Sequence, residues 1–202
     1  MENNTLSRRM FLVGTTATGA MLIAGRGQAA LTTEQARALI DNVVGDITSV
    51  INSGKSEQRM YGDFERIFWK YGDVPTISRS TLGPAARSAS RSQLDAFAKA
   101  FGGYLSRKYG KRFREFIGGK IEVQSARPLK SFYEVKTVAL LQGEAPFDLT
   151  FLVSDRSGKN LFFDMLIEGI SLLKAERTEI GAMLDSRRGN LDRLINDLKT
   201  MG

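Results

Sequence analysis

The chain has 202 residues, a formal net charge of +7 at pH 7, no histidine and no cysteine. The missing imidazoles and thiols exclude histidine-based triads, thiol catalysis, zinc–thiolate sites and disulfides. The length predicts one domain with a core large enough to contain a cavity, and the mild basic excess suits an anionic partner without requiring a nucleic acid.

The start of the chain is predicted to be a twin-arginine export signal rather than part of the fold. Arg8 and Arg9 are followed by a short apolar stretch and by small residues up to Ala29. This stretch is too short, and too rich in glycine and threonine, to span a bilayer as a helix. We therefore expect residues 1–29 to be cleaved and residues 30–202 to form a periplasmic domain.

Helical spacing of apolar residues predicts three helices at the start of this domain, over residues 32–52, 56–70 and 75–82. A fourth helical region over residues 91–117 has an aromatic-rich apolar stripe on one face. Its opposite face is basic and is formed by Arg107, Lys108, Lys111, Arg112 and Arg114. This basic face has two open interpretations, a solvated surface or a surface that docks on a membrane or a protein partner.

The apolar period then changes from 3.6 to 2, which predicts strands. The strands are expected over residues 120–127, 132–142, 146–154 and 160–168, followed by helices over residues 172–186 and 189–200. This order predicts an α+β fold in which helices pack on one face of a curved, antiparallel, four-stranded sheet. The aromatic residues on core-facing positions are compatible with a filled core or with a pocket for an apolar ligand.

Two acids, Asp164 and Glu168, lie within the apolar run of the last predicted strand. Four residues apart on a strand, they are separated by about 13 Å, which exceeds the roughly 5–9.5 Å of paired catalytic carboxylates. The alternation predicts both on the solvated face of the sheet. Ser171 and Lys174 match an S-x-x-K pattern without its companion motifs, so Ser171 is better interpreted as a helix N-cap. We predict no catalytic residue and no metal site.

Three stretches together resemble the MlaC family, the periplasmic phospholipid-shuttle proteins also known as toluene-tolerance or auxiliary transport proteins. They are 89-ASRSQLDAFAKAFGGYL-105, 164-DMLIEGISL-172 followed by Arg177, and 194-LINDL-198. They occur in the family's order and cover nearly all of the domain. The family often uses a general secretory signal, so the twin-arginine pair in this chain is a departure.

The resemblance implies a monomeric, non-enzymatic periplasmic carrier with a phospholipid as cargo and no cofactor. Its partners would be an outer-membrane lipoprotein complex and an inner-membrane ABC transporter, and its role would be to maintain outer-membrane lipid asymmetry. The cavity is expected between the sheet and the aromatic helices. The candidate lipid-binding residues are Phe64, Phe68, Phe97, Phe101, Tyr104, Val135, Leu149, Phe151, Phe163, Met165 and Ile167.

Three other interpretations remain open from the residues. The domain is also compatible with a carrier of a hopanoid-like or sterol-like molecule, or with a structural module that has a filled core. A small cavity enzyme would use Asp164 or Glu168 as its base, provided that the acid lies in the apolar interior with a raised pKa.

Overall fold

The computed structural model describes residues 30–202, apart from the side chains of residues 113 and 114. The predicted export signal, residues 1–29, lies outside the described residues. Helices and strands follow in the predicted order: α1 (Thr33–Ile51), α2 (Glu57–Tyr71), α3 (Val74–Leu82), α4 (Arg91–Gly110), β1 (Lys120–Leu129), β2 (Phe132–Leu140), β3 (Phe147–Ser154), β4 (Leu161–Ile167), β5 (Ile170–Ser171), α5 (Leu172–Ser186) and α6 (Leu191–Leu198). Two 3₁₀ helices, Gly83–Arg87 and Arg112–Phe116, follow α3 and α4.

The two longest helices begin at capping boxes that are legible in the sequence. The hydroxyl of Thr32 accepts a hydrogen bond from the Gln35 amide at 3.2 Å, and the Gln35 side chain accepts one from the Thr32 amide at 3.1 Å. Ser90 and Gln93 repeat the arrangement at the start of α4. Each box satisfies two backbone donors that a helix start leaves without partners.

The sheet is antiparallel and has the order β1-β2-β3-β4-β5. Within residues 30–202 it has five strands instead of the predicted four, because a two-residue turn at Glu168 and Gly169 folds Ile170–Ser171 back onto the end of β4. Both turn residues have positive φ, 49° and 78°, as the tight turn of a two-residue hairpin requires. The predicted α+β architecture, with helices on one face of the sheet, is confirmed.

A β-bulge in β4 changes which side chains face the helices. Val153 pairs with Phe162 and Leu152 pairs with Asp164, so Phe163 is the extra residue between the two pairs. Directly opposed residues of antiparallel strands share a face. Phe162 therefore lies on the helix-facing side of the sheet, a position that the simple alternation predicted for this strand did not give it.

Apolar side chains form two clusters that meet beside β4. The first joins α1 and α2 to the inner face of β1–β3, and the second joins α3, α4, α5 and α6. Phe162 packs against both clusters. Side chains of both clusters contribute to the wall of a cavity, and this cavity is the candidate site.

Candidate functional site

A cavity of about 450 Å³ lies between the inner face of the sheet and the helices. This volume falls within the range of roughly 300–1,000 Å³ that is usual for ligand pockets. Its wall is mainly aliphatic and aromatic, with contributions from α1 to α5 and from β1, β3 and β4. Among the wall residues that the structure describes, four charged ones are exposed, and they define what we call the mouth of the cavity: Arg112, Glu115, Glu144 and Glu168.

Seven of the eleven predicted lipid-binding residues line this cavity: Phe64, Phe68, Phe101, Leu149, Phe151, Met165 and Ile167. The register of β3 and β4 explains the sheet side of the wall. Phe151 pairs with Met165 and Leu149 pairs with Ile167, so all four side chains face the helices together.

The other four predicted residues pack elsewhere. Phe97 is fully buried in the second cluster, where its ring stacks on that of Phe101 with centroids 5.6 Å apart. Tyr104 is buried in the same cluster, and Val135 is fully buried in the first cluster. Phe163, displaced by the bulge, packs edge-on against Phe132 at 5.5 Å.

Sequence reasoning missed several wall residues. The ring of Phe162 lies 5.7 Å from that of Phe151 and 6.1 Å from that of Phe68, measured between centroids. Only recognition of the bulge would have placed it there. Val43 and Ile47 of α1 also line the cavity. Their helical spacing marked them as inward-facing, but the same spacing is found in a filled core.

Asp164 is a wall residue whose carboxylate is fully engaged in the fold. One oxygen accepts hydrogen bonds from the amides of Met165 at 2.8 Å and Leu173 at 3.0 Å, and the other accepts one from the Ser171 hydroxyl at 2.6 Å. The residue is only 9% exposed, so its predicted position on a solvated face is wrong. The carboxylate holds the first turn of α5 against β4, while Ser171 caps α5 through the Lys174 amide at 3.1 Å.

Glu168 remains exposed at the mouth, as predicted. Its amide donates to the Asp148 carbonyl at 2.9 Å, and its carboxylate accepts a hydrogen bond from the Asp148 amide. These two contacts fix the turn between β4 and β5 onto the start of β3.

A cluster of ionisable side chains connects α4 to α5 at the cavity wall. Lys108 donates to Glu176 at 2.7 Å and also to Glu179, while Tyr109 donates to Glu176 and Tyr104 donates to Glu179 at 2.7 Å. Burial raises the pKa of both tyrosines above the usual range, and their hydrogen bonds to the carboxylates act in the same direction. Burial lowers the pKa of Lys108, but its hydrogen bonds to both glutamates outweigh this and hold the pKa above its usual range. The lysine therefore stays charged and the tyrosines stay neutral at neutral pH.

Most side chains of the predicted basic face form hydrogen bonds within the molecule. Arg107 donates to the carbonyls of Leu198 and Met201 at 2.6 and 2.8 Å, which caps the end of α6. Lys111 donates to the Gly202 carbonyl at 2.9 Å, and Lys108 belongs to the α4–α5 cluster.

Arg112 is exposed at the mouth of the cavity. The side chain of Arg114 lies outside the described residues. A docking role for this face stays a prediction.

Within residues 30–202, no helix is both long enough and apolar enough to cross a membrane. The same part of the chain contains no group of three or more acidic side chains arranged to hold a metal ion.

The fold and the site define a class of protein, a single α+β domain with an apolar cavity between an antiparallel sheet and its helices. The family model described as MlaC protein matches residues 21–200, and the chain belongs to this family. The resemblance seen in the sequence is thus confirmed. A similar solved structure is the phospholipid-binding protein from Ralstonia solanacearum in complex with a phospholipid. It is 18% identical, with a TM-score of 0.69 over 81% of this chain and 94% of that chain.

Proposed function

We propose that this protein is a periplasmic phospholipid carrier that holds acyl chains in the cavity and leaves the headgroup at the mouth. The observation that carries the proposal is the mainly apolar cavity of about 450 Å³ in a wall that ends in exposed charged residues. Family membership and the phospholipid-bound Ralstonia neighbour support the same cargo. The wall residues named above are the proposed lipid contacts, with Phe162 in place of Phe163.

The physical task of such a carrier is to keep acyl chains out of water. Each methylene that is exposed costs about 0.8 kcal/mol, so a free diacyl lipid cannot leave a bilayer at a useful rate. A cavity wall made of aliphatic and aromatic side chains offsets most of this cost. The carrier then needs no affinity greater than that of the membrane, because its partners set the direction of transfer.

Arg112 lies where the phosphate of a bound lipid would be expected. It is the basic residue among the cavity-lining residues that the structure describes. A guanidinium matches a phosphate in charge and geometry. We further propose delivery between an outer-membrane lipoprotein complex and an inner-membrane ABC transporter, with export through the signal at residues 1–29. These parts of the proposal rest on the family and on the sequence.

The test is native mass spectrometry of protein purified without detergent and then incubated with phospholipid vesicles. We expect a bound mass of one phospholipid. A Met165→Trp variant, which fills the cavity from β4, should lose this mass. The adjacent Leu166 pairs with Thr150 on the other face of the sheet, so Leu166→Trp is the matched control and should keep it.

Two results would change the conclusion. A bound sterol-like or hopanoid-like mass would retain the carrier and replace the cargo. A folded wild-type protein that stays free of lipid after incubation would overturn the proposal.

A further inference from the structure

Glu176 differs from every other acid of the cavity wall in the described part of the chain. It is 3% exposed, and its Oε2 atom is buried with no hydrogen-bond partner among the described residues. Asp164, the other buried acid of the wall, has partners for both oxygens. A buried carboxylate oxygen without a partner loses the hydration that it has in water, which is energetically unfavourable. Such an atom in the wall of a ligand cavity calls for a donor.

The protein already directs two donors at the other oxygen. Lys108 and Tyr109 both donate to Oε1, at 2.7 and 2.5 Å. Lys108 is shared with Glu179, so one ammonium group faces two carboxylates. The cluster therefore carries an uncompensated negative charge beside the cavity, and a donor with positive character is favoured at Oε2.

The position of Glu176 matches the polar end of a bound lipid. Tyr109 precedes the mouth residue Arg112 by about one helical turn, and both line the cavity. Glu176 itself lies one turn after Leu172 and Leu173, which continue the apolar wall at the start of α5. An acyl chain in the cavity with its headgroup at the mouth would bring the glycerol and headgroup atoms close to this carboxylate.

We infer that Glu176 is a specificity-determining residue that favours cargo with a hydrogen-bond donor in its polar part. This rests on the proposed lipid-carrier function. The phosphate and the ester carbonyls of a diacyl lipid are acceptors only, so the donor must be a headgroup N–H or a free hydroxyl. Ethanolamine lipids carry N–H donors, whereas choline lipids have the same net charge and none. A monoacyl lipid supplies the alternative source, a hydroxyl on its glycerol.

The experiment offers the protein an equimolar mixture of phosphatidylethanolamine and phosphatidylcholine vesicle lipids with identical acyl chains. The bound ratio is read by native mass spectrometry. We expect a preference for the ethanolamine lipid of about tenfold or more, the value of one hydrogen bond to a charged group. A second mixture, of monoacyl and diacyl phosphatidylcholine, tests the glycerol hydroxyl in the same way.

Two variants isolate the carboxylate. In Glu176→Gln, Lys108 and Tyr109 should donate to the amide oxygen, so the amide NH₂, a donor, replaces the acceptor at the Oε2 position. The ratio of bound ethanolamine lipid to bound choline lipid should then fall to about one. Glu179→Gln removes a carboxylate from the same cluster but none from the cavity wall. Because Oε2 of Glu176 stays an acceptor while one negative charge of the cluster is lost, this variant should keep a preference for the ethanolamine lipid that is reduced but still clearly above one.

The possible outcomes separate this inference from the carrier function. Equal uptake of donor and non-donor lipids by the wild-type protein in both mixtures overturns the inference and leaves the carrier intact. A wild-type preference that persists in Glu176→Gln also overturns it, because headgroup size would then be the cause. No uptake of any lipid would refute the carrier function itself. The wild-type ratio is informative even if a variant does not fold.

Discussion

Replacing Asp164 with alanine tests whether one buried carboxylate holds the start of α5 against β4. The change removes the acceptor for three hydrogen bonds, from the Met165 and Leu173 amides and from the Ser171 hydroxyl. Each such bond contributes about 1 kcal/mol net to stability. Because α5 begins at a half-buried edge, water reaches part of the orphaned donors, and we expect a total loss of about 3 kcal/mol.

The measurement is urea unfolding followed by the fluorescence of Trp69, the only tryptophan of the chain. For a domain of this size, a loss of 3 kcal/mol corresponds to a fall in Tm of about 6–12 °C. Asp164→Asn is the informative companion, since its amide oxygen can still accept from both backbone amides. It should cost only about 1 kcal/mol.

The architectural role of Asp164 would be refuted if Asp164→Ala lost less than about 0.5 kcal/mol, the level of an ordinary surface substitution. Equal losses for the alanine and asparagine variants would instead show that the charge matters and that the hydrogen bonds to the amides do not.

Two further predictions concern stability. Gly110→Ala should destabilise the protein by about 1–3 kcal/mol, since the new Cβ would lie 2.5 Å from the ring of Tyr61. Gly45→Ala in α1 is the matched control: its Cβ would meet nothing within 4 Å, and the change should stabilise the helix by about 0.5–1 kcal/mol. Thermal melts of both variants measure these changes in stability. The hydrogen-bonded Lys55 ammonium holds the pKa of Asp63 below its usual value, so the ionised carboxylate stabilises the folded state. This contribution to stability is present above the unfolded-state pKa of about 3.9 and is lost as the pH falls through the lower folded-state pKa. Asp63→Asn should therefore flatten the fall in Tm below about pH 4, and an unchanged acid profile would contradict this.

Local sequence patterns were sufficient for the order and type of the main elements. The start of α1 has a local cause, because the capping box of Thr32 and Gln35 depends only on two residues three apart. Alternating apolar residues predicted β1 to β4, because the period of two also depends only on residues close together in the chain. The short β5 was missed, since two residues between a tight turn and a helix carry no period.

Which aromatic side chains reach the cavity depends on how the strands and helices are assembled. Phe162 and Phe163 are identical and adjacent, and only the pairing of β4 with β3 shows that the bulge directs Phe162 inward. Phe97 and Phe101 are four residues apart on one stripe of α4, yet Phe97 packs against the C-terminal helices and Phe101 also reaches the cavity.

The charged residues show the same difference between what a local sequence pattern predicts and what the assembled fold adds. The sequence places Lys108 on a basic helix face, and nothing local indicates that Glu176 and Glu179 lie against it from a helix some 70 residues later. The composition of each face follows from the sequence, because a face depends on the spacing of residues along one element. Whether two apolar faces close into a core or leave a cavity depends on how far apart other elements hold them, and that distance is set only by the assembled fold.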